Sequence, residues 1–209
     1  MFVKRIIFKN KLCINKSNIN KERKHMENQV LKAIENRRST RKYTDKQIGE
    51  EELQTILAAG IQAPTANNSQ PWHFTVIQNK EIITHISDKS KEVMRKSDDE
   101  VIVNIGKNVV NIFYDAPTLI IVSGKEDVSS SLVDCSAAIE NMLIASESIG
   151  LGTVWIGLIK FFFSLSDEVK KLGLPNGYKP FYAVAIGHKA NDSILGPSKR
   201  NKDVINYIR

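Results

Sequence analysis

Two prolines, Pro64 and Pro71, bracket a short polar stretch in the first third of the chain. Proline fixes φ and has no backbone N–H to donate, so neither a helix nor a central strand can run through these positions. The residues between them include threonine, asparagine, serine and glutamine, which concentrate side-chain donors and acceptors in a small space. We call residues 64–71 the polar loop. Its composition fits an ordinary turn as well as a binding loop.

Regular elements are predicted on both sides of the polar loop from the spacing of apolar residues. Helices are predicted over residues 30–34, 50–60, 80–95, 131–149 and 166–172, and part of 101–114 is also expected to be helical. Strands are predicted at residues 74–78, 116–122, 153–157 and 181–187, the second of them buried on both faces. Gly150 and Gly152 are expected to end the helix before them, and Ser166 to cap the last helix.

The predicted helix at residues 131–149 is apolar over a wide arc, which includes Ala138, Met142 and Leu143. Its small residues would let a neighbouring helix approach closely. Two placements fit this pattern: a helix at the centre of the core, or a helix in a subunit interface.

The positive charge of the chain is confined to its N-terminal end. Residues 1–25 hold eight lysines and arginines against one acidic residue, which accounts for the whole formal excess of +7. The remainder, residues 26–209, is neutral, so the sequence indicates a single folded domain without nucleic-acid affinity. Residues 1–25 lack the apolar core of a secretory signal. They are expected to form a disordered basic extension, with an interaction tail as the alternative.

Several other classes of protein are excluded by what the sequence lacks. No apolar run is long enough for a membrane span, and the two cysteines do not suggest a disulfide framework, so a cytoplasmic protein is expected. The histidines and cysteines have no metal-ligand spacing. Glycine-rich dinucleotide and phosphate loops are missing, as is the G-x-S-x-G nucleophile motif.

A cluster of basic and hydroxyl side chains follows the first predicted helix. Residues 37–41, which we call the basic segment, read Arg-Arg-Ser-Thr-Arg. Arginine forks and serine or threonine hydroxyls together suit the oxygens of a phosphate. The alternative is a solvated basic helix end that the helix dipole favours.

Four stretches of the sequence together resemble the FMN-dependent nitroreductase family, over residues 26–202. They are the basic segment, the run Asn68-Ser69-Gln70-Pro71-Trp72, the glycines of Gly150-Leu151-Gly152 before Trp155-Ile156-Gly157, and Gly177-Tyr178 ahead of a strand ending in Gly187-His188. The resemblance implies an α+β fold with a mixed central sheet wrapped by helices. It also implies a homodimer with two FMN molecules at the subunit interface.

The resemblance also assigns residues to the flavin. The phosphate and ribityl chain would be held by the basic segment and the C-terminal region, the ring and ribityl by the polar loop of the other subunit, and the reactive edge of the ring by backbone after the third strand. For the phosphate and ribityl chain, the residues implied are Arg37, Arg38, Ser39, Arg41, Ser198, Lys199 and Arg200. For the ring and ribityl from the other subunit they are Pro64, Thr65, Ala66 and Asn68, and for the reactive edge they are Ile156 and Gly157.

The sequence departs from the family pattern at several positions. A Lys-x-Arg pair common near the C-terminus is Ser198 and Arg200 here, and Gly157 stands where some members carry an acidic residue. Asn108 is a counterpart of a family asparagine contact. The chain also lacks the long helical insertion of larger members. These departures affect the assignment of the substrate more than that of the flavin.

The chemistry implied by the resemblance resides on the flavin. NADH or NADPH would donate hydride to FMN, and a small oxidant such as a nitroaromatic or a quinone would then take the electrons at the same face in a ping-pong cycle. No catalytic acid or base from the protein is needed, and His73 is interpreted as structural. The alternatives are a flavin-binding redox sensor and a flavin-consuming or dehalogenating member of the same family.

Overall fold

The structure is a computed structural model and describes residues 28–191 and 199–209. The predicted extension at residues 1–25, the domain start at Met26 and Ser198 lie outside the described residues. The elements follow in the order α1 (Gln29–Asn36), α2 (Glu50–Ile61), β1 (Trp72–Ile77), α3 (Lys80–Met94), α4 (Glu100–Asn108), β2 (Thr118–Lys125), α5 (Ser131–Ser148), β3 (Leu151–Ile156), α6 (Lys160–Phe163), α7 (Ser166–Lys170) and β4 (Tyr178–His188). A 3₁₀ turn (Ala66–Asn68) lies between α2 and β1.

Side chains at the helix starts explain where several helices begin. The Asn79 carboxamide oxygen accepts from the Ile82 N–H over 3.0 Å at the start of α3. Asp99 accepts from the Val101 N–H over 2.8 Å at the start of α4. Both are N-cap bonds that satisfy backbone donors which the first helical turn leaves unpaired.

Two local predictions were wrong. Gly150 ends α5 with a φ of +85°, as a C-terminal glycine does, but Gly152 lies inside β3. Ser166 is the first residue of α7 and Leu165 occupies the cap position, with no side-chain capping bond. Gly152 belongs to β3 because it pairs with Gly187 of β4.

The fold class is α+β, as predicted. The four described strands form one sheet in the order β1-β2-β4-β3, and every neighbouring pair is antiparallel. The parallel component implied by the resemblance is an isolated bridge between Ser39 and Thr153 at the edge of β3.

Both faces of the sheet are buried. Successive side chains of a strand point to opposite faces, so neighbouring residues of β2 enter different cores. Leu119 and Ile121 of β2 join one core, which includes residues of α3 and α6. Ile120 and Val122 join a second core with residues of α2 and α5. The near-continuous apolar run of β2 therefore reflects its central place between two layers of helices.

Helix α5 takes the first of its two predicted placements within the chain. Cys135, Ile139 and Met142 are fully buried in the second core. Helix α2 packs closely on it at Gly60, where an added Cβ would lie 2.4 Å from Met142 Cε. Any larger residue at position 60 would require the Met142 side chain to move.

Candidate functional site

The basic segment lies along the free edge of β3. Ser39 forms the bridge with Thr153, and the Thr40 N–H donates to the Thr153 carbonyl over 2.9 Å. The Thr40 side chain is 3% exposed and closes over Gly152, where an added Cβ would lie 2.6 Å from Thr40 Oγ1. The segment is therefore attached to the sheet and is more than a solvated helix end.

Tyr43 also helps to hold the basic segment on the sheet. Its hydroxyl donates to the Thr40 carbonyl over 2.8 Å, and its backbone bridges Lys189 just after β4. Burial raises the pKa of Tyr43 well above its usual value, so the hydroxyl stays protonated and remains a donor. Two strands thus hold the basic segment in place.

The three arginines of the segment have different surroundings. Arg38 donates to the carbonyls of Glu35 and Arg37 over 2.6 and 2.7 Å, so it covers the carboxyl end of α1. The Arg41 guanidinium lies 5.7 Å from the centre of the Tyr114 ring. Arg37 Nε is 3.9 Å from Glu140 Oε1, a distance at the limit of an ion pair. Because a guanidinium carries five N–H donors, Arg37 and Arg41 retain donors for an anion.

The polar loop has an unusual backbone. Asn67, Asn68 and Gln70 have φ values of +53°, +55° and +43°, in the left-handed region that residues other than glycine rarely adopt. Internal bonds hold this shape: the Gln70 N–H donates to Thr65 Oγ1 over 3.3 Å, and the Gln70 amide donates to Asn68 Oδ1 over 3.0 Å. The asparagines are exposed. Strained, exposed backbone of this kind is often found at binding sites.

Asp134 in the first turn of α5 holds the middle of the polar loop, a role that the sequence analysis missed. Asp134 is 5% exposed, and its carboxylate accepts from the Ala66 N–H and the Ser69 hydroxyl, each over 3.4 Å. The Ser130 hydroxyl donates to the same carboxylate over 2.8 Å. The one local signal is Ser131 three residues before Asp134, which resembles a helix-capping pattern.

The aromatic residues that follow the polar loop have a structural role. Trp72 stacks on Phe74 with ring centres 6.4 Å apart, and His73 packs edge-on against Tyr178 at 5.8 Å. Pro71 is buried, and its carbonyl accepts from the Lys125 N–H over 3.0 Å. These contacts fix the loop's end at the start of β1 and agree with the interpretation of His73 as a structural residue.

The carboxyl end of β3 opens onto free space. Ile156 is buried, whereas Gly157 is exposed, and a Cβ added to Gly157 would meet no atom within 4 Å. A flat group could therefore approach the backbone here without a side chain in the way.

The basic segment and the polar loop lie apart within one chain. The loop leads into β1 and the segment borders β3, the two opposite edges of the sheet, which lie three strand spacings or about 14 Å apart. On α5, Asp134 contacts the loop and Glu140 contacts Arg37. Six residues of helix separate these contacts by about 9 Å and about 120° around the axis.

The remaining predicted residues have these positions. Lys199 and Arg200 lie in an exposed stretch, residues 199–209. Asn108 ends α4 and its amide donates to the Asn104 carbonyl over 2.9 Å. Burial raises the pKa of the Cys135 thiol to about 12, so it stays protonated and is a poor nucleophile near neutral pH.

Within residues 28–191 and 199–209, no group of three or more His, Cys, Asp or Glu side chains is placed to hold a metal ion. No helix in these ranges combines the length and apolar character that crossing a bilayer requires.

Comparison with known proteins identifies relatives along most of the chain. The sequence profile of the Nitroreductase family matches residues 34–188. An Archaeoglobus fulgidus protein with the provisional name NADH dehydrogenase/NAD(P)H nitroreductase is 30% identical over 166 residues, which cover 78% of this chain and 87% of the relative. The FMN reductase (NAD(P)H) of Bacillus subtilis is 30% identical over 176 residues, covering 81% of this chain and 70% of the relative.

A solved structure supports the same relationship. The nitroreductase of Bacteroides fragilis, crystallised with bound FMN, superimposes with a TM-score of 0.81 at 33% sequence identity. The match covers 88% of this chain and 100% of that one.

Proposed function

Because the chain belongs to the nitroreductase family, we propose that it is an FMN-dependent oxidoreductase. It takes electrons from NADH or NADPH and reduces nitroaromatics, quinones or similar small oxidants. The proposal places the enzyme in the cytoplasm as a homodimer and leaves residues 1–25 as a basic extension outside the folded domain.

One arrangement carries the proposal: a cationic segment and an open glycine lie along the same strand. Ser39 bridges Thr153, and Gly157 follows four residues later, about 13 Å along an extended chain. An elongated ligand with an anionic end and a flat ring suits such a site. Relatives at 30–33% identity are named for FMN reduction or contain bound FMN, which supports FMN as that ligand.

The donor set of the described residues fits FMN. Arg37, Ser39 and Arg41 would hold the phosphate. By the family resemblance, Arg38, Ser198, Lys199 and Arg200 would also bind it. In the polar loop, Thr65 Oγ1 and Asn68 Oδ1 already accept bonds from Gln70, which leaves the Thr65 hydroxyl and the Asn68 amide free to donate. Ring carbonyls and ribityl oxygens can accept such bonds.

The protein's own part in the reaction is binding and orientation. When bound, FMN supplies the redox chemistry, accepting two electrons from NAD(P)H and delivering them to the oxidant. The Ile156 and Gly157 backbone would border the ring and leave one face open to each substrate in turn. Tyr43 and the buried Cys135 both stay protonated near neutral pH.

Anaerobic reduction tests this function directly. Purified protein with FMN should lose the flavin's yellow colour stoichiometrically when NADH or NADPH is added, because hydride transfer needs only a nicotinamide held about 3–3.5 Å from the ring. A quinone or nitroaromatic should then restore the colour without nicotinamide, and steady-state double-reciprocal plots should be parallel. Bound flavin that neither nicotinamide reduces would contradict the proposal and favour a redox sensor or a flavin-consuming enzyme.

We expect the protein to be a homodimer in which the polar loop of each subunit completes the other's flavin site. The separation of loop and basic segment within one chain supports this, as does an apolar face of α1 in which Val30, Leu31 and Ile34 are 61%, 40% and 50% exposed. Because these side chains are already about half buried, covering the rest is worth roughly half of a full burial, about 0.8–1.5 kcal/mol each.

A charge on this face should therefore separate the subunits. We expect Ile34→Asp to shift sedimentation from dimer toward monomer and to lower FMN occupancy in parallel. Glu35→Ala, an exposed change on the same helix, should do neither. A monomer that binds FMN at full occupancy would contradict the shared site.

A further inference from the structure

The polar loop needs an anchor, because its conformation is costly and its surface is exposed. Three residues of the loop that are not glycine have left-handed φ values: Asn67, Asn68 and Gln70. Such backbone persists only where surrounding contacts hold it. The ends of the loop are fixed, since Ala63 and Pro71 are buried, but residues 66–68 in its middle are exposed.

A single carboxylate provides the contact in the middle. Asp134 Oδ1 accepts from the Ala66 N–H and Oδ2 accepts from the Ser69 hydroxyl, so the two oxygens hold both ends of the 3₁₀ turn. An ionised carboxylate only accepts hydrogen bonds, and here it serves three donors including Ser130. The amino end of α5 also favours a negative charge at this position.

We propose that Asp134 is the positioning residue of the flavin site: it holds residues 65–69 in the shape that receives FMN and does not itself contact the cofactor. The inference rests on the proposed function, because it assigns the loop to a flavin. Its premise, that Asp134 controls the loop's conformation, is a property of the protein without ligand and can be measured separately.

The two serines that bond to Asp134 distinguish positioning of the loop from stability of the fold. The Ser69 hydroxyl belongs to the loop, whereas Ser130 belongs to the body, directly before α5. The Ser130 bond is the shorter, at 2.8 Å against 3.4 Å. A purely structural role predicts that Ser130→Ala is at least as harmful as Ser69→Ala, whereas positioning predicts the opposite order for flavin binding.

The experiment compares Asp134→Ala, Asp134→Asn, Ser69→Ala and Ser130→Ala in the full chain, with Asp127→Asn as an exposed control that removes the same charge. We expect the Kd for FMN to rise about tenfold or more in Asp134→Ala and about threefold to tenfold in Ser69→Ala. Asp134→Asn should fall between these two variants. Ser130→Ala and Asp127→Asn should stay within about twofold of the parent. The visible circular dichroism of bound flavin should change in the same order.

Hydrogen exchange of the FMN-free protein provides the independent readout. Amides of residues 65–69 should exchange at least about tenfold faster in Asp134→Ala and Ser69→Ala than in the parent and in Ser130→Ala. If the parent does not bind FMN but this exchange pattern appears, the flavin function fails while the anchoring role stands. If Ser69→Ala leaves both exchange and Kd unchanged, or if Ser130→Ala has the larger effect on them, the positioning role is overturned. Should Asp134→Ala fail to fold, the two serine variants decide the question.

Discussion

The Gly152→Val substitution is expected to lower the free energy of unfolding by about 1–3 kcal/mol, the usual range for an overpacked buried site. A Cβ at this position would lie 2.6 Å from Thr40 Oγ1 and 2.9 Å from Lys189 Cγ. Thr40 cannot move away cheaply, because its N–H is bonded to Thr153 and its carbonyl to Tyr43. The substitution should therefore also push the basic segment off the edge of β3 and weaken FMN binding at least about tenfold.

Denaturant unfolding of the FMN-free protein measures the first effect, and an FMN titration measures the second. Gly157→Ala is the matched control for unfolding, because a Cβ there meets nothing within 4 Å and the change should stay within about 0.5 kcal/mol. If Gly152→Val unfolds at the parent's denaturant concentration, the close contact between Thr40 and β3 is not present in solution.

The Arg200→Ala substitution should weaken FMN binding by about 10- to 150-fold without changing the stability of the FMN-free protein. Charge-assisted hydrogen bonds to a phosphate are worth about 1.5–3 kcal/mol, which corresponds to that range of affinity. Arg200 is exposed, as are all of residues 199–209, so removing its side chain takes no packing from the core.

Lys202→Ala removes one positive charge from the same exposed stretch and separates a specific contact from a general electrostatic effect. We expect Lys202→Ala to change the FMN affinity less than threefold, and the difference between the two variants to shrink little in added salt. Equal affinities in Arg200→Ala and the parent protein would remove Arg200 from the site and leave the phosphate to Arg37 and Arg41.

Much of the local structure follows from local sequence. The helix predicted at residues 131–149 is α5 (Ser131–Ser148), and the strand predicted at 181–187 lies inside β4 (Tyr178–His188). Both are rich in apolar residues, and glycine or turn residues flank them. The polar loop was also located correctly, because Pro64 and Pro71 restrict the backbone by their own covalent structure. The assignment of individual side chains to the flavin stays a prediction.

Other features depended on residues far apart in the chain. Gly152 was expected to end a helix, but it lies in β3, where it pairs with Gly187 of β4 and Thr40, 112 positions earlier in the sequence, packs against it. Asp134 had the appearance of an ordinary residue in a first helical turn, and its role appears only when the polar loop folds back onto α5. No local pattern contains either contact.

By itself, the sequence determined the α+β class, the order of most elements, the place of the polar loop and the family to which the chain belongs. Only the tertiary structure decided the strand order β1-β2-β4-β3 and, with it, the placement of the loop and the basic segment at opposite edges of the sheet. Apolar periodicity is a property of neighbouring residues and specifies which face of an element is buried. Strand order comes from pairing between segments tens of residues apart, where the packing of the whole core selects one partner among several compatible ones.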